Sequence, residues 1–334
     1  QSTWDKIFFL TALQLFLRLL AMGLTDGVTT ADNIDDLPEA CIMNAISFAT
    51  PREACLFSTL SSSFKAAAES DALWEKFLPE NYKTTIASSS DPALINRCTT
   101  RKQLYLHLSE NPLLVDEGLK SFSLEKSSGK IRYMLSARDL SIVWGDSPGY
   151  WAWASKPSTM FNEVAELLTV CWLEIRGRIK ASTLSRQTLY TAYFVYQLKN
   201  NVYGFDYSPV EVSVGYVGGE SVKRKMHLDT RTRRSRPVPF PLRRRMWPVN
   251  RVPEFTMRAR GVSEGNSEST SARVKERGDG WLEVEMGEFF NDGEYEHREV
   301  EMCVLEVERG VWKGGLVVHG IEIRPNYVAA RHAR

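Results

Sequence analysis

The hydrophobic period of this chain changes once, near residue 131, and that change limits the folds open to it. Beyond that point apolar residues alternate with polar ones: Val210, Val212, Val214 and Tyr216 against Glu211, Ser213 and Gly215. The same period of two recurs at 282–286, 299–304 and 317–323, and the stretches 132–137, 170–176 and 188–198 are β-branched and aromatic. Alternation places one set of side chains on each face of a strand, so such segments bury one face and wet the other. Seven or more of them, with no useful helix between, predict an antiparallel β-sandwich.

Before residue 131 the period is helical. Cys41, Ile42, Ala45, Ile46 and Ala49 recur at helical spacing after Leu37-Pro38. Thr50-Pro51-Arg52-Glu53 has the form of a capping box with proline at the first helical position. The helix it starts is expected to carry Ala54, Phe57, Leu60, Ser61 and Phe64 on one side. A third helix follows Ser70 or Asp71, carries Leu73, Trp74 and Phe77, and stops at Pro79. Residues 34–82 thus predict a small three-helix module. Leu37, Pro38, Ile42, Ile46, Leu60, Phe64 and Trp74 are many apolar groups for a unit of this size. The expectation is that a partner surface covers part of them. Residues 83–130 are read as a partly helical connector, and 326–334 as a tail.

Charge is uneven. From Lys223 to Arg260 thirteen Lys/Arg face two acidic residues, although the whole chain is only +1. With its prolines and the serines that follow, the stretch from about 220 to 277 is expected to be a disordered insertion between strands. Arg233, Arg234, Arg236 and the run Arg243, Arg244, Arg245 suit a nuclear-import address. Specific nucleic-acid recognition is disfavoured, because few aromatic rings are interleaved with the arginines. The five cysteines form no CxxC pair, and four of them lie in apolar runs. A reducing compartment, cytoplasm and nucleus, follows, with no disulfide frame and no metal site. The largely apolar stretch from Ile7 to Leu24 is interrupted by Gln14 and Arg18. Residues 1–21 are read as an extension foreign to the functional protein, with a membrane anchor, a signal segment or an amphipathic helix as the alternatives.

The segment 131–153 carries three tryptophans, Trp144, Trp151 and Trp153, around the turn Asp146-Ser147-Pro148-Gly149. Clustered indoles either close one end of a core or form an apolar platform, and sugars suit such platforms through their C–H faces. Trp151 and Trp153 lie two apart on an extended segment and share a face, as a core patch would. No catalytic site is expected. The sequence has no G-x-S-x-G, P-loop or HExxH motif, Asp139 and Asp146 have no evident partner, and no cofactor is implied.

Residues 34–80, with Leu37-Pro38, Ile42, Ile46, Thr50–Cys55, Phe64 and Ser70-Asp71-x-x-Trp74, resemble a plant F-box. Residues 131–325 resemble the phloem protein 2, or Nictaba-like, lectin domain. The blocks that carry this are SARDLSIVWGDSPGYW, EVAELLTVCWLEIRG, DGWLEVEMGEFFN, EVEMCVLEV and GIEIRP. Gly149 departs from the glutamine that the family pattern favours.

The resemblance implies an α+β multidomain protein, with a small three-helix F-box followed by an antiparallel, jelly-roll-like β-sandwich. It implies a non-catalytic, substrate-recognising adaptor that docks the Skp subunit of a Skp–cullin–F-box ubiquitin ligase through the seven apolar residues named above. In the lectins the W-x6-W pair binds glycan, which here means Trp144 and Trp151. Asp146 and Tyr150 would supply an acceptor and a second flat face, and Glu294 and Glu296 are further acceptor candidates in an acidic run. Glycosylated proteins are then the implied targets. A lectin with a vestigial F-box, and a lectin tethered to a membrane through 7–24, are the alternatives.

Overall fold

The computed structural model describes residues 39–157, 159–205, 209–228, 274–294 and 297–326. Leu37, Pro38, the apolar segment 7–24 and the six import-candidate arginines lie outside them. Among the described residues no helix is long and apolar enough to cross a membrane.

Seven short helices come first: α1 Glu39–Ile46, α2 Pro51–Phe57, α3 Ser62–Glu69, α4 Asp71–Phe77, α5 Tyr82–Ala87, α6 Leu94–Arg97 and α7 Arg101–Glu110. The capping box starts α2. The Thr50 hydroxyl accepts from the Glu53 amide at 3.3 Å, and the Glu53 carboxylate accepts from the Thr50 amide at 2.8 Å. The single helix expected through Phe64 is two helices. Its serine and threonine hydroxyls compete for the backbone: Ser58 and Thr59 donate to the carbonyls of Cys55 and Leu56, and Ser61 caps α3 by accepting from the Phe64 amide. The region therefore holds four helices between 39 and 77, where three were expected.

Ile42, Ile46, Ala54, Phe57, Phe64 and Leu73 close a small core among α1 to α4. Trp74, 1% exposed, turns the other way. It joins a second, larger core that runs from Leu78, Tyr82 and Leu104 into the sheets. Its indole N–H donates to the Ala68 carbonyl at 2.8 Å, and its ring lies 5.1 Å from that of Tyr105.

The strands are β1 Leu113–Val115, β2 Lys120–Leu124, β3 Ile131–Ser136, β4 Ser141–Ile142, β5 Trp151–Ala154, β6 Val164–Leu167, β7 Leu173–Lys180, β8 Thr188–Tyr203, β9 Val210–Tyr216, β10 Ser221–Met226, β11 Lys275–Glu276, β12 Leu282–Asn291, β13 Glu299–Glu306 and β14 Gly314–Pro325. One sheet runs β1-β2-β3-β14-β8-β12-β11, with β6 on β14 and β5 on β6; the other runs β10-β9-β13-β7-β4. Every pairing is antiparallel. The two sheets face each other across one apolar core, and at Gly177 they are so close that a Cβ would stand 2.9 Å from Leu140 and 3.2 Å from Ile321.

Three expectations are revised. The sheet begins at Leu113, within the stretch read as connector, because Phe122 and Leu124 share the large core. Residues 221–226 form a strand, since Lys223, Arg224 and Lys225 each find a carboxylate, at Glu211, Glu285 and Glu308. Of the five cysteines only Cys303 is buried; Cys41 and Cys55 are exposed on the helices, so an apolar neighbourhood in sequence did not make them core.

The helices and the sandwich are bound tightly. The Arg52 amide donates to Ser127 O, and the Tyr105 hydroxyl bonds the carbonyls of Glu125 and Lys126 at 3.2 and 3.0 Å. Gly129, at φ +73°, fits against Phe77, Tyr105 and Pro51, where a side chain would be strained and crowded. This 125–130 loop leads into β3, so the helices sit at the end of the sandwich where β3 begins and β14 finishes.

Candidate binding rim

The opposite end of the sandwich is closed by four segments. Antiparallel pairing brings the ends of β4, β6, β8 and β13 together with the starts of β5, β7, β9 and β14. The Tyr150 carbonyl accepts from the amides of Leu168 and Thr169, and Val143 N donates to Glu174 O at 3.0 Å. Val170 and Lys313 exchange backbone bonds of 2.9 and 2.8 Å. Segments 143–150, 168–172, 203–204 and 311–314 thus share one rim.

This rim is unusually apolar for a surface. Of fifteen large exposed hydrophobic side chains among the described residues, seven are here: Trp144, Tyr150, Leu168, Trp172, Tyr203, Val311 and Trp312. Five are aromatic, so the rim presents ring faces where strand ends ordinarily present polar turns.

The tryptophans of the 144–153 loop take three different positions. Trp144 is 43% exposed, in left-handed backbone at φ +57°, a conformation a bulky residue adopts only when its surroundings impose it. Successive tight turns impose it: Gly145 N donates to Ile142 O, Ser147 N to Trp144 O and Tyr150 N to Ser147 O. Tyr150 is its ring neighbour, with centroids 5.3 Å apart and planes at 38°. Asp146 is exposed beside them.

Trp151, the expected stacking partner, is only 3% exposed. It pairs with Leu167 in register and points into the core, so its faces are closed to a ligand. Trp153 shares that inward face at the core edge. Its N–H donates to Gly145 O at 3.0 Å, and the Arg138 guanidinium lies 3.6 Å from its ring centre, bracing the loop from beneath. Asp139 faces Lys120 at 3.8 Å. Glu294 is exposed at the far end of the sandwich, between β12 and β13, because β12 runs away from the rim; Glu296 lies outside the described residues.

Sequence reasoning missed Leu168, Trp172, Tyr203 and Trp312. The available signal was position: each stands at or just outside a strand end, and Trp312 lies between Gly310 and Gly314.

A buried ion pair stiffens the rim. Lys313, fully buried, pairs with Glu306 and donates to the carbonyls of Cys171 and Val311 at 3.2 and 2.7 Å. No cluster of His, Cys, Asp or Glu suited to a metal ion occurs among the described residues.

The helical end has its own apolar surface. Ile42, Ile46, Phe64 and Trp74, expected to face a partner, are all buried within the chain, since the four helices and the sandwich enclose them. Leu60 is 42% exposed, and Phe48 and Leu56 are exposed with it, at the ends of the helices.

A helical module is thus joined to a β-sandwich that carries an aromatic rim at its far end. The phloem protein 2 family model matches residues 130–325. Three relatives from Arabidopsis thaliana extend the likeness over the helices. The chain is 40% identical to F-box protein PP2-B1 over 320 residues, covering 90% of this chain and 92% of that one. It is 40% identical to F-box protein PP2-B10 (87% and 93%) and 39% identical to F-box protein PP2-B13 (86% and 98%). The chain belongs to the phloem protein 2 family and is an F-box protein of the PP2-B type.

Proposed function

We propose that this protein is the substrate-recognising adaptor of a Skp–cullin–F-box ubiquitin ligase, a non-catalytic subunit that grips glycosylated targets with its rim. One observation carries the reading: the molecule has two outward apolar surfaces at opposite ends, one beside the small helical core and one at the rim of the larger core. An adaptor needs two such surfaces. The helical one, with Leu60, Leu56 and Phe48, and with Leu37 and Pro38 preceding α1 in sequence, suits a partner helix. The rim, with the faces of Trp144 and Tyr150 and the nearby Asp146 carboxylate, suits a sugar: flat apolar rings with an acceptor beside them.

The test is co-purification from plant cells. Wild type should recover the Skp subunit and a cullin, and a Leu56→Asp, Leu60→Asp double variant should lose both. Unchanged recovery by the double variant counts against this docking surface. On a glycan array the folded wild type should bind and Trp144→Ala should not; a blank array sinks the glycan half of the reading.

A further inference from the structure

We propose that the outer face of the larger sheet carries a site for a small oxyanion, a phosphate or carboxylate group on a polar small molecule, gripped by Lys156 and framed by Gln197, Asn200 and Asn201. The site is separate from the rim and from the helical surface, and it does not depend on the reading of either.

The place is an open cleft of about 470 Å³ beside β8, within the size range of small-molecule sites. Alternation along β8 turns Val195, Gln197 and Lys199 to this face, where Val195 packs with Val317 of β14 and Trp281, apart from the core between the sheets. Asn200 and Asn201 continue the wall, and Lys156 reaches in from the segment after β5. The lining is thus mostly amide and amine, where an apolar ligand would need hydrocarbon walls.

Charge selects the ligand. On this face Lys199 is neutralised by Glu166 at 2.7 Å, and Asp279 is taken by Arg277 at 3.4 Å. Lys156 is half-buried, and its partners among the described residues are both neutral: its Nζ donates to Gln197 Oε1 at 2.8 Å and lies 5.3 Å from the ring centre of Trp281. An ammonium has three N–H groups, so two remain for a ligand. An oxyanion would complete this cation through charge-assisted hydrogen bonds, whereas a neutral ligand would leave its charge unanswered.

The cation is also held ready. The Gln197 amide donates to Gly280 O at 3.1 Å, which aims its carbonyl oxygen at Lys156. Trp281 is fully buried and stacked on His319 with ring centres 4.5 Å apart, which fixes the ring beneath the ammonium. The exposed Asn200 and Asn201 carboxamides make no hydrogen bond among the described residues and offer further donors to the same space. A site set in this way loses little freedom when it binds.

The experiment is an NMR titration of the full chain with sodium phosphate, with sodium succinate and, as a neutral control, with glucose, at constant ionic strength. The readout is site-resolved because the Lys/Arg-rich sequence from 223 to 260 attracts anions of its own. The side-chain amide signals of Gln197, Asn200 and Asn201 should move and saturate with phosphate or succinate and stay still with glucose. The anion that saturates first distinguishes a phosphate ligand from a carboxylate one. Lys156→Met should weaken this binding about tenfold or more, and Lys156→Arg should keep it within about threefold, since both charged side chains can donate to an oxyanion. Wild-type amide signals that ignore both anions overturn the site, whatever the variants do. Equal saturation by wild type and a folded Lys156→Met, or movement with glucose as large as with the anions, overturns it as well.

Discussion

The two ends of the molecule treat their tryptophans and other large apolar residues in opposite ways. At the helical end Ile42, Ile46, Phe64 and Trp74 all turn inward, and only residues at helix ends remain outside. At the rim one tryptophan of three in the 144–153 loop is buried, and the neighbouring segments add two more that are not. The difference is architectural. Short helices at angles to one another enclose whatever lies between them, whereas a sandwich covers its faces and leaves its ends to the loops. A partner surface is therefore made at the helical end by what the packing leaves over. At the rim it is made by rings the loops hold out, one of them in a strained backbone conformation.

Four experiments bear on this contrast. The largest effect is expected from Trp74→Ala, which empties the junction between helices and sheets and should cost about 4 kcal/mol in urea unfolding of the full chain. A loss below 1 kcal/mol would mean that the two parts do not share a core. Next, Trp151→Ala should destabilise by about 3 kcal/mol, while Trp144→Ala, which removes the same indole from the same loop, stays within about 0.5 kcal/mol. Equal costs would erase the distinction between core and platform.

Acid should then reveal a weak point on the outer face of the larger sheet. His319 is buried against Trp281 and Phe161, with Lys156, Arg277, Asp279 and Glu322 as its charged surroundings. Burial, aided by Arg277, pushes its pKa down from 6.5 to about 4. The fold favours the neutral ring, so its contribution is complete above pH 6.5 and is lost as pH falls towards 4. That loss is about 3 kcal/mol at 1.36 kcal/mol for each pH unit. Glu322 extends it. Burial opposes its ionisation, but Arg324, Arg132 and Arg277 outweigh burial and hold it at about 2, so its share goes between pH 4.5 and 2. His319→Leu should flatten the stability profile between pH 6.5 and 4 and leave the lower leg. Smallest of all, Leu60→Asp should leave unfolding within about 0.5 kcal/mol of wild type, because Leu60 lies at the surface and belongs to neither core.

Much of this was legible beforehand, for identifiable reasons. Alternation located four strands, since a buried face imposes the period directly, and β-branched and aromatic composition located three more. The capping box at Thr50 and Glu53 is local chemistry, and it forms as written. Ser61 was less legible: its place on an apolar helical stripe disguised the cap that begins α3. The short strands β1 and β2 carry too few residues for a period to show. At the rim, shared parity placed Trp151 and Trp153 on one inward face, but the W-x6-W spacing suggested a pair that the register forbids. Trp172 and Trp312 are 140 positions apart in sequence, and only the Val170–Lys313 bridge shows that their segments meet at one rim.

The strand β14 has a further consequence. It runs without interruption from the rim at Gly314 to the helical junction at Pro325, a span of about 35 Å at the usual rise per residue. The shared core around Trp74 leaves no hinge along it. If the proposed function holds, cargo bound at one tip would be held off from the other like a load at the end of a rigid jib. For an adaptor of this build, reach would act as a filter: small cargo would hang out of range of the attached machinery, and large cargo would be met only on those parts of its surface that the jib swings into place.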